Sequence, residues 1–183
     1  MYLSTSWKNQ KTRKQKAHDK KTLFAIAITS TTTLSLATEF KTGDITLEID
    51  YLTYNTKKEI NIIGRTSKGI ELKIKDHITN CTEDKIIEII EKSIEQRTIN
   101  STTYYFIGYK IGCTGGVNPL TVKYFAYSNG TKYSLRGEEK IITPNSSFGG
   151  GKPPIESTNL KNKPALREYM TQHWKKIQIR KYD

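Results

Sequence analysis

Little in the chain is suited to redox or metal chemistry. Its 183 residues include two cysteines, Cys81 and Cys113, and three histidines, His18, His77 and His173. Neither cysteine lies in a CxxC pair and no HExxH is present, so the usual signatures of a zinc site or a redox dithiol are missing. A catalytic thiol needs a base. Only His77 falls in the central part of the sequence, and nothing in the spacing relates it to Cys113. Gly149-Gly150-Gly151-Lys152 is followed by Pro153, which does not match the phosphate-loop pattern. The aromatic signature of an RNA-recognition sheet is also missing. No run of about 18 apolar residues occurs, so no membrane-spanning helix is expected. With five prolines, 12 glycines and 35% hydrophobic residues, the chain is neither collagen-like nor fully disordered. These shortages lead to the expectation of a protein that is not an enzyme and carries no cofactor or metal.

What the chain has in abundance is isoleucine, threonine and lysine. There are 23 Ile against 11 Leu, 24 Thr, and 24 Lys against 6 Arg. β-Branched side chains lose rotamer freedom in helices and pack well on a pleated surface, which favours strands. The Ile and Lys excess also matches the drift of an AT-rich genome, and shaped anion clamps tend to use Arg. The formal charge of +12 is uneven. Residues 1–22 carry seven basic residues and one acid, and residues 161–183 carry seven and two. Residues 23–160 are near balance, with sixteen against fifteen. Basic ends on a near-neutral globule suit contact with a polyanion or an acidic neighbour.

Periodicity organises the chain into four parts. Residues 1–21 form a basic N-terminal arm without apolar period. Residues 22–143 form a β-rich core. Phe24, Ile26, Ile28, Leu34, Leu36 and Phe40 alternate as one strand or two, and Ile45, Leu47, Ile49 and Tyr51 follow the turn around Gly43-Asp44. Ile60–Ile63 and Ile70, Leu72 and Ile74 read as a hairpin. The spacing of Ile86, Ile87, Ile90 and Ile94, after the cap residue Thr82, predicts a helix near 82–98. Tyr105–Ile111, Val122–Ala126 and the run after Asn129-Gly130 read as a β meander. Residues 144–163 read as a Gly/Pro linker. Residues 164–183 read as an amphipathic basic helix opened by Pro164. The fold class expected is α+β: mainly antiparallel sheet or a small barrel with one packed helix, plus the arm and the linker-borne helix.

Eight aromatics fall between Tyr104 and Tyr133. Alternation places Tyr104 and Phe106 on one face, Tyr105 and Tyr109 on the other, and sets Phe125 and Tyr127 against Tyr124. A sheet with aromatics on both faces needs two covers.

The candidate contacts are therefore at the ends. Tyr2, Leu3 and Trp7 at the arm tip, and Leu166, Tyr169, Met170, Trp174 and Ile177 on the closing stripe, are the candidate partner-binding residues. Lys8, Lys11, Arg13, Lys14, Lys16, Lys20, Lys21, Lys175, Lys176, Arg180 and Lys181 are the candidate polyanion contacts. This organisation leads to the expectation of a structural subunit in a large assembly, bound to protein neighbours as a homo- or hetero-oligomer. A virus or phage particle, as a portal-tail ring or capsid-associated layer, is the first choice. Location in the virion or in host cytoplasm during assembly follows. A ribonucleoprotein or ribosomal component with RNA-binding ends is the alternative, weakened by the near-neutral core.

A secreted β-rich domain is third. Lys20-Lys21 before Leu23–Ile28 and the Ser35-Leu36-Ala37 triplet resemble a leader, but Thr and Ser dilute the apolar region. Sequons at Asn80, Asn100, Asn129 and Asn145 exceed the chance number of about two only modestly. Secretion is not expected, and Cys81 and Cys113 are read as separate reduced thiols.

Overall fold

The computed structural model describes residues 34–182. The first four strands form an antiparallel meander: β1 (Leu34–Thr42), β2 (Ile45–Thr53), β3 (Lys57–Thr66) and β4 (Gly69–Thr79). Their order in the sheet is their order in the chain, because each connection is a short turn. At Gly43 the backbone takes a φ of +59°, and a Cβ there would meet the Gln96 side chain. The Gln96 carbonyl oxygen accepts the Asp44 amide proton at 2.8 Å, which fixes this turn onto the neighbouring layer.

A second sheet follows. It contains β5 (Asp84–Ile89), β6 (Glu95–Ile99), β7 (Thr102–Thr114), β8 (Thr121–Ser128), β9 (Thr131–Glu138) and the short β12 (Ile155–Glu156). Its order is β12-β9-β8-β7-β5, with β6 also on β7. Asn129 and Gly130 both take positive φ, as a two-residue hairpin between twisted strands requires. A small third sheet joins β10 (Lys140–Thr143) to β11 (Ser146–Gly149) antiparallel and to β13 (Ile179–Lys181) parallel. The helices are α1 (Thr158–Lys161) and α2 (Pro164–Ile177).

The alternation of β7 and β8 divides the interior in two. Tyr105, Ile107, Tyr109, Ile111, Phe125 and Tyr127 pack with Ile45, Leu47, Ile49, Ile60, Ile62, Leu72 and Ile74 of the first sheet. Tyr104, Phe106, Val122, Tyr124, Ala126, Tyr133 and Leu135 pack with Leu160, Leu166, Met170, Trp174 and Ile177. The aromatics thus occupy both faces of the second sheet, as parity demands. One face is covered by the first sheet and the other by α1 and α2.

The helix expected near 82–98 is absent; β5, a turn at Glu91–Ser93 and β6 stand in its place. Ile87 and Ile89 are buried while Glu88 is exposed, a period of two. Five isoleucines in nine residues satisfy either period, and the long edge of β7 offers ladder partners that a helix cannot use. Both strands lie along that one edge. β5 pairs with residues 109–114 and β6 with residues 102–106. Between them Ser93 turns inward. Its hydroxyl oxygen accepts the Gly108 amide proton at 2.6 Å, and the hydroxyl donates to the Ile90 carbonyl at 2.6 Å. A side-chain oxygen thus replaces the backbone carbonyl that the interrupted strand cannot supply. Gly108 has no Cβ, which would sit 3.0 Å from that hydroxyl.

Two further expectations change. Cys81 and Cys113 are bonded to each other, not reduced. Cys81 follows β4 and Cys113 lies near the end of β7, opposite Lys85, so β5 pairing brings the two together. Residues 144–163 are not a free tether, since β11, β12 and α1 occupy much of the span and Leu160 is fully buried. With the span ordered, α2 packs on its own chain.

Two substitutions test this account. Ser93→Ala leaves the Gly108 amide buried without a partner and should cost about 1–3 kcal/mol in urea unfolding. Trp174→Ala should cost about 3–5 kcal/mol by the same measurement, because the ring fills the core between α2 and the second sheet. A Trp174→Ala protein of wild-type stability would mean that α2 packs elsewhere.

Candidate functional site

The arm candidates Tyr2, Leu3, Trp7, Lys8, Lys11, Arg13, Lys14, Lys16, Lys20 and Lys21 lie outside the described residues. The closing stripe is interior. Leu166, Met170, Trp174 and Ile177 are at most 3% exposed, and Tyr169 is half-buried. They are core residues and not a free partner surface, because the aromatic face of β7–β9 needs the cover they provide. Lys175 and Lys176 are exposed at the end of α2, and Lys181 on β13 is exposed. Arg180 turns inward instead, toward Glu139.

Glu139, fully buried between β9 and β10, holds the first of three polar clusters. Its carboxylate lies 2.6 Å from Lys110 Nζ and 3.0 Å from the Arg180 guanidinium. The Leu120 amide donates to it at 3.3 Å, and Arg180 also donates to the Asn118 carbonyl at 3.1 Å. β7, the loop before β8 and β13 meet at this carboxylate. Removal of one partner from such a buried group leaves an uncompensated charge.

Asp76 on β4 centres the second cluster. It accepts a 2.6 Å hydrogen bond from the Tyr109 hydroxyl and pairs with Lys123. Burial works to raise the Asp76 carboxyl, but the Lys123 and Tyr109 hydrogen bonds outweigh it and the net shift is downward. Burial first, and Asp76 second, push the Tyr109 hydroxyl far up. Nearby, the Tyr105 hydroxyl donates to Asp44 at 3.0 Å and is pushed to about 12, again chiefly by burial. These bonds cross between the two sheets.

Glu95, Tyr169, His173 and Arg97 make the third, where β6 meets α2. The Tyr169 hydroxyl donates to Glu95, the His173 ring stacks on Tyr169 with centroids 4.1 Å apart, and Arg97 lies over the same ring at 4.8 Å. His173 Nε2 stands 4.0 Å from Glu95. Burial raises Tyr169 to about 12, with Glu95 adding to the effect. This is the set closest to acid–base chemistry, yet its groups are engaged with one another. The broader clefts lie elsewhere, around Pro153. One of about 440 Å³ is lined by Glu156, Arg167 and Gln172, and another of about 570 Å³ by Arg136, Lys152 and Ile155. Neither brings together the residues of the three clusters.

Strand β1 is open to solvent on both faces over much of its length. Ser35 to Glu39 are all exposed, although the strand is fully paired with β2. Leu36 is 61% exposed, on the face where Ile45, Leu47 and Ile49 of β2 are buried. The first sheet therefore extends one strand beyond its cover. No signal in the sequence marks this overhang, because β1 alternates like the covered strands. No known protein family, curated protein or solved structure matches this chain. Among the described residues, no helix is long and apolar enough to cross a membrane.

Acid should act on the outer face of the first sheet. Hydrogen bonding from Lys57, against an opposing effect of burial, holds the Glu59 carboxyl down at about 2, with Lys75 and Asn61 assisting. A carboxyl lowered on folding contributes fully above its ordinary value of 4.5 and loses that contribution as pH falls toward 2. Urea midpoints measured across this window should fall less steeply for Glu59→Gln than for the wild type. Equal slopes would remove Glu59 from the acid response.

Proposed function

We propose that the protein is a non-enzymatic structural or binding domain that works in an oxidising compartment as a component of a larger assembly. The observation that carries this reading is the Cys81–Cys113 bond, which ties the end of the first sheet to the longest strand of the second. Such bonds persist outside the reducing cytosol and are rare within it. Of the settings that the sequence allows, an exported domain fits the bond best. A virus or phage particle assembled in reducing cytoplasm fits it less well, and a particle matured in an oxidising space remains compatible. The three polar clusters support a structural role, since each joins different elements of the fold. An RNA-embedded component is less supported, because residues 23–160 carry nearly equal numbers of basic and acidic residues.

Alkylation before and after reduction, followed by peptide mass analysis of protein from its natural source, tests the compartment. Cys81 and Cys113 should be protected until reduction; free thiols in the native material would overturn the reading. The bond closes a loop with a sequence separation of 32 residues. Its reduction should therefore cost about 3–4 kcal/mol in the chain-entropy description. Urea unfolding with and without reductant measures the difference.

A further inference from the structure

We propose that β1 is a self-complementary edge, and that two copies of this chain associate through it in antiparallel fashion about a two-fold axis at Thr38. This inference is independent of the compartment in which the protein works.

Only Gly43 and Asp44 separate Thr42 from Ile45, so these two close the turn as a hydrogen-bonded pair. Alternation then directs the amides and carbonyls of Phe40, Thr38 and Leu36 toward β2. Those of Ser35, Ala37, Glu39 and Lys41 point away from β2, along an edge that no other strand occupies among the described residues. An incoming antiparallel strand must present its own outward groups to these four residues. A second β1 centred on Thr38 does so: Ser35 meets Lys41 and Ala37 meets Glu39, each twice. All outward groups of those four residues on both copies gain partners.

The side chains agree with this register. Leu36 of one copy falls opposite Phe40 of the other, and the pair occurs twice by symmetry. An aromatic opposite an aliphatic residue is a favourable cross-strand pair. Leu36 is 61% exposed on the overhanging inner face, and Phe40 is only partly covered by its own core. No like charges stand directly opposite, since Glu39 faces Ala37 and Lys41 faces Ser35.

The devices that usually protect an edge are missing from this strand. It has no proline, its pairing with β2 runs without a bulge, and it holds one acid and one base. By contrast, the β12 edge is two residues long. Pairing would join two four-stranded sheets into one of eight strands. The contact is about 30 Å long. With nine residues a side it lies at the small end of specific interfaces, where association is reversible.

Sedimentation of the full-length protein over a concentration series tests the proposal, with Ala37→Pro and Thr38→Cys as variants. The wild type should pass from monomer to dimer. Proline at position 37 removes an outward amide that makes no bond to β2. That variant should unfold like the wild type and dimerise at least about tenfold more weakly. Thr38 meets itself in a non-hydrogen-bonded pair, where Cα atoms lie about 4.5 Å apart. Mild oxidation should therefore cross-link Thr38→Cys into a covalent dimer and leave Leu36→Cys, which faces Phe40, without an intermolecular disulfide. Should Ala37→Pro fail to fold, the two cysteine variants decide alone. A wild type that stays monomeric at its highest soluble concentration would overturn the proposal. So would a dimer in which Leu36→Cys cross-links as readily as Thr38→Cys. Dimers that appear only after residues 1–33 are removed would also overturn it, since the chain's own N-terminal residues would then be the occupant of the edge.

Discussion

Strand β7 has to be buried on both faces, and most of the architecture answers that requirement. Its thirteen residues carry Tyr105, Ile107, Tyr109 and Ile111 on one side, and Tyr104 and Phe106 on the other. An ordinary antiparallel sheet can leave one face to water. This one cannot, because aromatic surface would be exposed whichever face was left open. The meander β1–β4 covers one side and α2 covers the other. The polar clusters sit where these covers meet the strand or its neighbours. Tyr109 reaches Asp76 of the first sheet, Lys110 reaches Glu139, and β6 supplies Glu95 to α2. Each of these three clusters therefore fixes the position of one layer relative to another, which apolar packing alone does less specifically.

The edges of β7 impose the second constraint. β8 fills one edge without interruption. The other edge is filled by β5 and β6 in succession, and the residues between them must turn without leaving the Gly108 amide unpaired. Ser93 solves this with a hydroxyl, and Gly108 solves the steric half by having no side chain. The Cys81–Cys113 bond lies at the outer end of the same edge. It holds the crossing from the first sheet to the second near the place where β5 begins to pair.

Much of this was legible from alternation alone. The turn at Gly43-Asp44, the hairpin at Asn129-Gly130, the two-faced aromatics of Tyr104–Tyr109 and the helix opened by Pro164 all rest on local rules. Those rules act within a few residues, so one sequence suffices to apply them. The failures share a different origin. Ile86, Ile87, Ile89, Ile90 and Ile94 satisfy both a helical and an extended period, and only the vacant edge of β7 decides between them. The proximity of Cys81 and Cys113 follows from the same choice, because β5 pairing with β7 is what brings them together. β13 has three residues, too few to show any period, and its place beside β10 goes with contacts distant in sequence, among them Arg180 with Glu139. The closing stripe is apolar in the sequence, but apolarity does not say whether the surface it meets belongs to the same chain.

The order of the layers along the chain also shapes how the molecule forms. β1 to β4 are joined by tight turns and can pair early, since short loops close quickly. Their inner face, with Ile45, Leu47, Ile49, Ile60 and Ile62, has no cover until β7 and β8 arrive. The bonds that seat those strands on the meander span long stretches of sequence: 33 residues from Asp76 to Tyr109 and 47 from Asp76 to Lys123; the bond that seats α2 on β6 spans 74, from Glu95 to Tyr169. High sequence separation slows folding, and a sheet that waits with an open apolar face is prone to collect the wrong strands. The meander is thus a template during folding as well as a layer in the finished protein. The interval before β7 docks is the period in which this chain most needs isolation from others like it.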